Sequence, residues 1–334
     1  MKYLALICLL FAASCTKNKN PDSFKITLRL SHVFSPKEDL AISMETIAGN
    51  ILKKTEGRVK ILTYPQGQIA TYKDGVEMVS RGAYFISVED PSYIGDYVPE
   101  FSALVGPMLY RNFDEYTSLT STPLVKSWVK KLEDNNIKVL SLNFIFGFRN
   151  LITNKVVKTP SDLKGLKVRT PGSQIFIKTI NAMGASATPL PWGETFSALQ
   201  QGVVDGLEGS EFTNWGTKVF ETGKKNVAFT NHFLGVAGAY IALDVWNKIP
   251  KQYQNIISNE FTTESKNLIA KLKANHQNVI NKLKEKGVSF NEVDRAQFES
   301  GTKKVFSDIP GLKKSTYNDI TSELKKIREL SNEQ

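Results

Sequence analysis

The side chains that most often carry chemistry are few in this chain and poorly spaced for it. Three histidines occur, His32, His232 and His276, none at ligand spacing from another histidine or a cysteine. A local nitrogen–sulfur zinc set is therefore not on offer. The two cysteines, Cys8 and Cys15, both stand near the amino terminus. No Gly-x-Ser-x-Gly elbow, P-loop or dinucleotide glycine fingerprint is present. Acids distant in sequence can meet in space, so spacing alone leaves a paired-carboxylate hydrolase open, but nothing points to one. The chain reads as a binder rather than an enzyme, with no metal and no cofactor implied. What remains is charge: 43 Lys plus Arg against 33 Asp plus Glu, a net +10. Such an excess draws anionic solutes, anionic lipid or nucleic acid. Its scatter into pairs such as Lys224-Lys225, Lys303-Lys304 and Lys313-Lys314, with no dense basic arm, argues against nucleic acid.

Cys15 closes an amino-terminal pattern with a chemistry of its own. After Lys2, the apolar run from Leu4 to Phe11 has signal-peptide length and is too short to span a bilayer. Ala12-Ala13-Ser14-Cys15 follows, and small residues before a cysteine at the end of such a run resemble the bacterial lipoprotein signal. That resemblance implies removal of residues 1–14 as a signal peptide and a diacylglycerol on the Cys15 thiol. The protein would then sit on the periplasmic or cell-surface side of a bacterial membrane. An exported chain left with one cysteine forms no internal disulfide. Residues 15–23, polar with one proline, read as a lipid-anchored tether. No later segment is long and apolar enough to cross a membrane, and 334 residues at 41% hydrophobic content suit two ordinary domains.

The elements that must position any site alternate between strand and helix. Period-two alternation marks 25–30 as a strand, and the spacing of Leu40, Ile42, Met44, Ile47 and Ile51 marks 39–54 as a helix. Segments 59–62 and 83–88 read as strands around a helix at 71–80. A helix over 112–132 puts Trp128 on its apolar face, and 137–144 is a buried strand. Beyond Phe148, short strands at 151–153, 166–169, 188–190, 227–230 and 237–243 alternate with helices at 174–182, 195–201 and 211–220. Thr159-Pro160 opens a capped helical turn, and Gly165 and Gly184 close theirs. The run 252–286 is either one long helical brace or two helices in sequence. This rhythm predicts an α/β chain with mainly parallel strands.

Four stretches then follow in order: Phe146-Gly147-Phe148-Arg149-Asn150; Leu163 to Pro171 (LKGLKVRTP); Gly184 to Trp192 (GASATPLPW); and Ala198 to Glu208 (ALQQGVVDGLE). Together they resemble the solute-binding subunits of tripartite ATP-independent periplasmic (TRAP) transporters, over most of the mature chain. The resemblance implies an α/β, two-lobe periplasmic binding protein of the type II class, with crossing strands and a long interlobe helix. Lobe I would comprise 24–146 plus about 235–274, lobe II 147–234 plus about 275–320, and 321–334 a C-terminal tail. It also implies a small organic acid in the interlobe cleft, handed to TRAP membrane permease subunits driven by an ion gradient.

By the same resemblance Arg169 holds the ligand's carboxylate and Arg149 is a second arginine. Trp192 packs beside the ligand, Glu208 lines the cleft, and Glu89 and His32 stand near it on lobe I. The fit to the chemistry is direct, because a guanidinium is permanently charged and its planar fork matches a carboxylate through two parallel hydrogen bonds. On chemistry alone, Arg169 reads instead as a strand-edge arginine paired with a neighbouring acid, and Glu208 as a buried acid orienting it. Gly209 departs from relatives that carry asparagine there; the pocket should be larger or less polar, which tilts the ligand toward a monocarboxylate with an apolar tail. Alternatives are a receptor of the same fold feeding a sensor, an ATP-driven receptor, or a cleft enzyme.

Overall fold

The fold is described from a computed structural model, which describes residues 24–332. The leader 1–14, Cys15 and the tether 15–23 lie outside the described residues. Among those described, no helix is long and apolar enough to cross a membrane.

The first half of the molecule is a small parallel sheet with helices against it. β1 (Ile26–Ser31) pairs in parallel with β2 (Val59–Tyr64) and with β3 (Phe85–Glu89). The connection from β1 to β2 is α1 (Asp39–Lys54), which buries Leu40, Met44, Ile47 and Ile51. Ile42, expected on that apolar face, is 44% exposed, since a 100° step places it beside rather than on the stripe. α2 (Tyr72–Ser80) leads into β3, and α3 (Glu100–Leu104) follows it. The single helix expected over 112–132 is two, α4 (Phe113–Thr120) and α5 (Pro123–Leu132). Pro123 disfavours helical geometry in the residue before it, and the Thr122 hydroxyl caps the new helix by accepting from Val125 N.

Two long strands tie the halves together. β4 (Ile137–Thr153) and β8 (Asn226–Ala242) are each 17 residues and run antiparallel. Each was expected as two short strands. Register shifts at four points between Val139 and Leu151 break the period-two pattern that sequence reading relies on. Toward one end β8 pairs with β3; toward the other β4 pairs with β7 (Gly206–Gly209). Beyond β7 lie β5 (Lys167–Thr170) and β6 (Ser186–Pro189), both parallel, while β9 (Ser289–Asn291) pairs with β8. The sheet therefore runs β2-β1-β3-β8-β4-β7-β5-β6, two parallel fans joined by a crossing antiparallel pair.

Helices α6 (Gln174–Met183), α7 (Trp192–Gln200) and α8 (Glu211–Gly216) dress the second half, and α9 (Leu243–Lys248) follows β8. α8 stops short of the expected Phe220 because Lys218 turns left-handed at φ 57°. The run 252–286 is one unbroken helix, α10 (Lys251–Glu285), 35 residues long. It carries Phe261, Leu268 and Leu272 into the core of the first half, and Val279 and Leu283 into that of the second. α11 (Arg295–Thr302) and α12 (Thr316–Asn332) complete the chain; α12 packs Ile320 and Leu324 into the first-half core. Separate apolar clusters on the two sides of the crossing strands make this a two-lobe α/β molecule.

Candidate functional site

Between the lobes lies a cavity enclosing about 590 Å³ of atom-free space, counting its mouth. Its chemistry begins with β5. That strand is held on both edges, by β6 and β7, so a side chain leaving it toward the cavity is rigidly aimed. Arg169 is that side chain, only 2% exposed. Its Nε and Nη2 both donate to the Leu190 carbonyl, at 3.0 and 2.6 Å, and its guanidinium carbon sits 5.1 Å from the Trp192 ring centre. Among the described residues it forms no ion pair within 4.0 Å. Burial pulls its pKa below the ordinary value.

Glu208 does not pair with Arg169. Leu151 on β4 stands opposite Glu208 on β7, and this register brings the carboxylate to Arg149. Arg149 Nε and Nη2 each donate to a different Glu208 oxygen, a bidentate pair. Burial alone would lower the Arg149 pKa, but the Glu208 charge and hydrogen bonds outweigh it and hold it above the usual value. The guanidinium also lies between the rings of Phe146, 5.6 Å away, and Phe176, 5.1 Å away. His232 stands behind, its Nε2 3.9 Å from Glu208 and its Nδ1 2.7 Å from the Thr230 hydroxyl. Burial drops its pKa to about 3, so the ring is neutral. The two buried arginines thus differ: Arg149 has a contacting counter-ion in Glu208, and Arg169, which feels Glu208 only at a distance, has no ion pair among the described residues.

Three carboxyls complete the first-lobe wall. Burial pushes Glu89 up to about 8, with the neighbouring Asp90 charge adding to it, while the Tyr72 N–H donates to Glu89 at 2.7 Å and opposes the rise. Asp90 is pushed to about 6 by burial; one oxygen accepts from Ser92 N at 2.8 Å and the other, buried, has no partner. Glu38 is pushed to about 7, again by burial, and accepts from Ser35 N at 2.8 Å. The buried Tyr93 hydroxyl also lacks a partner. Near neutrality this wall is rich in groups that can both donate and accept, which suits a hydroxylated ligand.

Of the residues singled out from sequence, Arg169, Arg149, Trp192, Glu208, Gly209 and Glu89 all line this cavity. His32 does not: it is fully buried beneath it, its ring 6.0 Å from Phe34, neutral because burial lowers its pKa to about 4. Gly209 is not demanded by its backbone. A Cβ there would stand 3.3 Å from Leu207 Cδ1, closer than ordinary van der Waals contact, and 3.9 Å from Thr213 Cγ2, so any side chain here would press on Leu207. Sequence reading missed Tyr72, Tyr93, Asp90 and Glu38, which come from loops and helix starts with no motif. Tyr72 carried one structural signal, an aromatic in the left-handed region at φ 54°, a placement that costs energy and clusters at sites. Its hydroxyl accepts from Trp192 N at 2.7 Å, bridging the lobes. No cluster of metal-ligating side chains occurs among the described residues.

Residues 30–310 match the family model described as bacterial extracellular solute-binding protein, family 7. A solute-binding protein of Chromohalobacter salexigens is 25% identical over 311 residues, covering 92% of this chain and 91% of its own. Among solved structures, a TRAP periplasmic solute binding protein of Desulfovibrio salexigens, in complex with diglycerolphosphate, is 55% identical, with a TM-score of 0.91. That match covers 93% of this chain and 100% of the other. One from Fusobacterium nucleatum with bound sn-glycerol-3-phosphate is 36% identical at a TM-score of 0.90, covering 92% and 99%.

Proposed function

Since the chain belongs to the bacterial extracellular solute-binding proteins of family 7, we propose that it is the periplasmic receptor of a TRAP transporter and holds a small organic acid against Arg169. The observation that carries this reading is a buried guanidinium, aimed into the interlobe cavity, with no carboxylate of its own among the described residues. A buried charge left without a counter-charge is expensive; a ligand anion supplies the missing partner. Arg149, already satisfied by Glu208, contributes a fixed dipole and cavity wall rather than a second free charge. Trp192 stacks on Arg169 and offers its face to the ligand, and the Glu89–Asp90–Glu38 wall meets hydroxyl groups.

The acid to test first is a glycerol phosphate ester, because the 55% and 36% identical relatives hold such compounds. A hydroxylated carboxylate comes second, and the polar first-lobe wall disfavours a long apolar tail. The lobes are taken as 24–146 with about 235–274, and 147–234 with about 275–320, although the first-lobe apolar cluster also draws in Ile175, Phe176, Phe233 and Phe306 from across that division. Delivery is to membrane permease subunits, and anchoring is through Cys15.

Thermal-shift screening of glycerol phosphates, sugar acids and dicarboxylates, followed by calorimetry, tests the reading. The best hit should raise Tm, and Arg169→Ala should abolish that rise, since losing one partner of a desolvated pair costs about 2–5 kcal/mol. A rise left intact in Arg169→Ala would remove Arg169 from the site.

A further inference from the structure

Arginines converge a second time beside the crossing strands. Phe148, the neighbour of Arg149 on β4, lines a separate pocket of about 970 Å³ of atom-free space including its mouth, together with Asn231 of β8. The two lobes face each other across it. Arg111, just before α4, and Arg328, from α12, come from the first-lobe side; Arg295, opening α11, and Lys303, just after it, come from the second.

These cations are not equally committed. Arg328 is neutralised, its Nε and Nη2 each 2.9 Å from Glu115 and Nη2 also 2.8 Å from the Leu109 carbonyl. Arg295 is held in place but not neutralised: Nη1 donates to the carbonyls of Thr230 and Asn231 at 3.2 and 3.3 Å. Neither Arg111 nor Arg295 has an acid at ion-pair distance among the described residues. Burial lowers the Arg295 pKa, Glu299 one turn along partly offsets it, and Arg111 adds a smaller lowering as a like charge. Four basic groups set against Glu115 and Glu299 leave two positive charges over. One guanidinium tied to backbone carbonyls and one exposed guanidinium free to swing toward it line the same solvent-open hollow, and together they suit a tetrahedral, multiply charged oxyanion, which accepts several charge-assisted hydrogen bonds at once.

We propose that this pocket binds a phosphate group, bridging Arg111 of one lobe and Arg295 of the other, at a site distinct from the interlobe cavity. Because its walls belong to both lobes, occupancy would bias how the lobes sit, and by linkage the cleft ligand and the phosphate would each alter the other's affinity.

Equilibrium binding of radiolabelled orthophosphate and of a soluble short-chain phosphatidylglycerol to the purified full chain tests it. Arg111→Gln and Arg295→Gln should each weaken binding tenfold or more, and Glu299→Gln should strengthen it severalfold. Arg295 also tethers β8, so the exposed Arg111 decides the matter if Arg295→Gln fails to fold. Arg111-dependent binding of orthophosphate identifies a free anion as the occupant; Arg111-dependent binding of the phosphodiester alone identifies a lipid headgroup. Absence of binding for both probes, or binding lost in Arg169→Ala and kept in Arg111→Gln, would overturn the proposal.

Discussion

Two arginines facing one cavity make opposite predictions about stability. Arg149 and Glu208 are a closed bidentate pair, and removing one charge strands the other in a dry environment. Glu208→Gln should therefore destabilise the protein by about 3–5 kcal/mol. Arg169 has no such partner, so Arg169→Met removes an uncompensated buried charge and should leave stability unchanged or higher while destroying ligand binding. Urea denaturation of both variants checks the contrast; the reverse order would mean that the charge roles have been exchanged. The carboxyl wall makes a pH prediction. Glu89 titrates near 8 and Asp90 near 6, both raised by burial. A bound anion raises them further, so the complex holds more protons than the free receptor and affinity falls as pH climbs between those values. Calorimetry from about pH 5 to about 9 should show this, and Glu89→Gln should flatten it; a flat profile in the unmodified protein would exclude proton uptake. At this scale the sequence marked Arg169 and Trp192 because they sit in contiguous motifs. It could not tell that Glu208 reaches Arg149 instead of Arg169, since that depends on the register of β4 against β7. Nor could it find Tyr72 or Tyr93, which adjoin Arg169 only through the fold.

The crossing strands show what a strand-by-strand reading loses. The apolar runs of β4 and β8 were visible, but the bulges between them interrupt alternation, so each strand looked like two. By contrast α10 keeps a helical period throughout, so its helical nature was legible, while its being one helix of 35 residues rather than two was settled only by the fold. The bulged zone is also where backbone freedom is needed. Gly147 lies there at φ 109°, and a Cβ on it would come 2.8 Å from Ser210 Cβ and 3.0 Å from the Phe212 ring. Both the conformation and the space exclude a side chain, and the contact is with the second lobe's α8 region. Gly147→Ala should cost about 2 kcal/mol or more. Gly172 is the control: nothing lies within 4 Å of a Cβ there and its φ is not left-handed, so Gly172→Ala should stay within about 0.5 kcal/mol. Equal urea midpoints for the two variants would deny Gly147 this role.

At the scale of the whole molecule, the cavity exists only because the lobes meet, and beyond the shared strands and α10 some contacts run directly from one lobe to the other. Trp192 N reaches the Tyr72 hydroxyl at 2.7 Å, and Glu38 packs so closely on Gly216 that a Cβ there would lie 2.9 Å from Glu38 Cγ. Tyr72 is the costlier of these, left-handed at φ 54° and pinned through its N–H to Glu89. Strain of that kind persists only where the surroundings enforce it, and here the enforcing groups are the ligand wall on one side and the opposite lobe on the other. The hydrogen bond is neutral, so its removal should be worth about 1 kcal/mol. Tyr72→Phe keeps the ring and its packing, and removes the hydroxyl that makes the bridge and also interacts with Arg169. Its effect should fall on ligand release, which should quicken about fivefold, with association little altered provided ligand enters before this contact forms. Stopped-flow fluorescence, with Trp192 as the local reporter, resolves the two rates. If Tyr72→Phe slowed association and left release untouched, the bridge would belong to the open receptor, and the closed cavity would need another fastening.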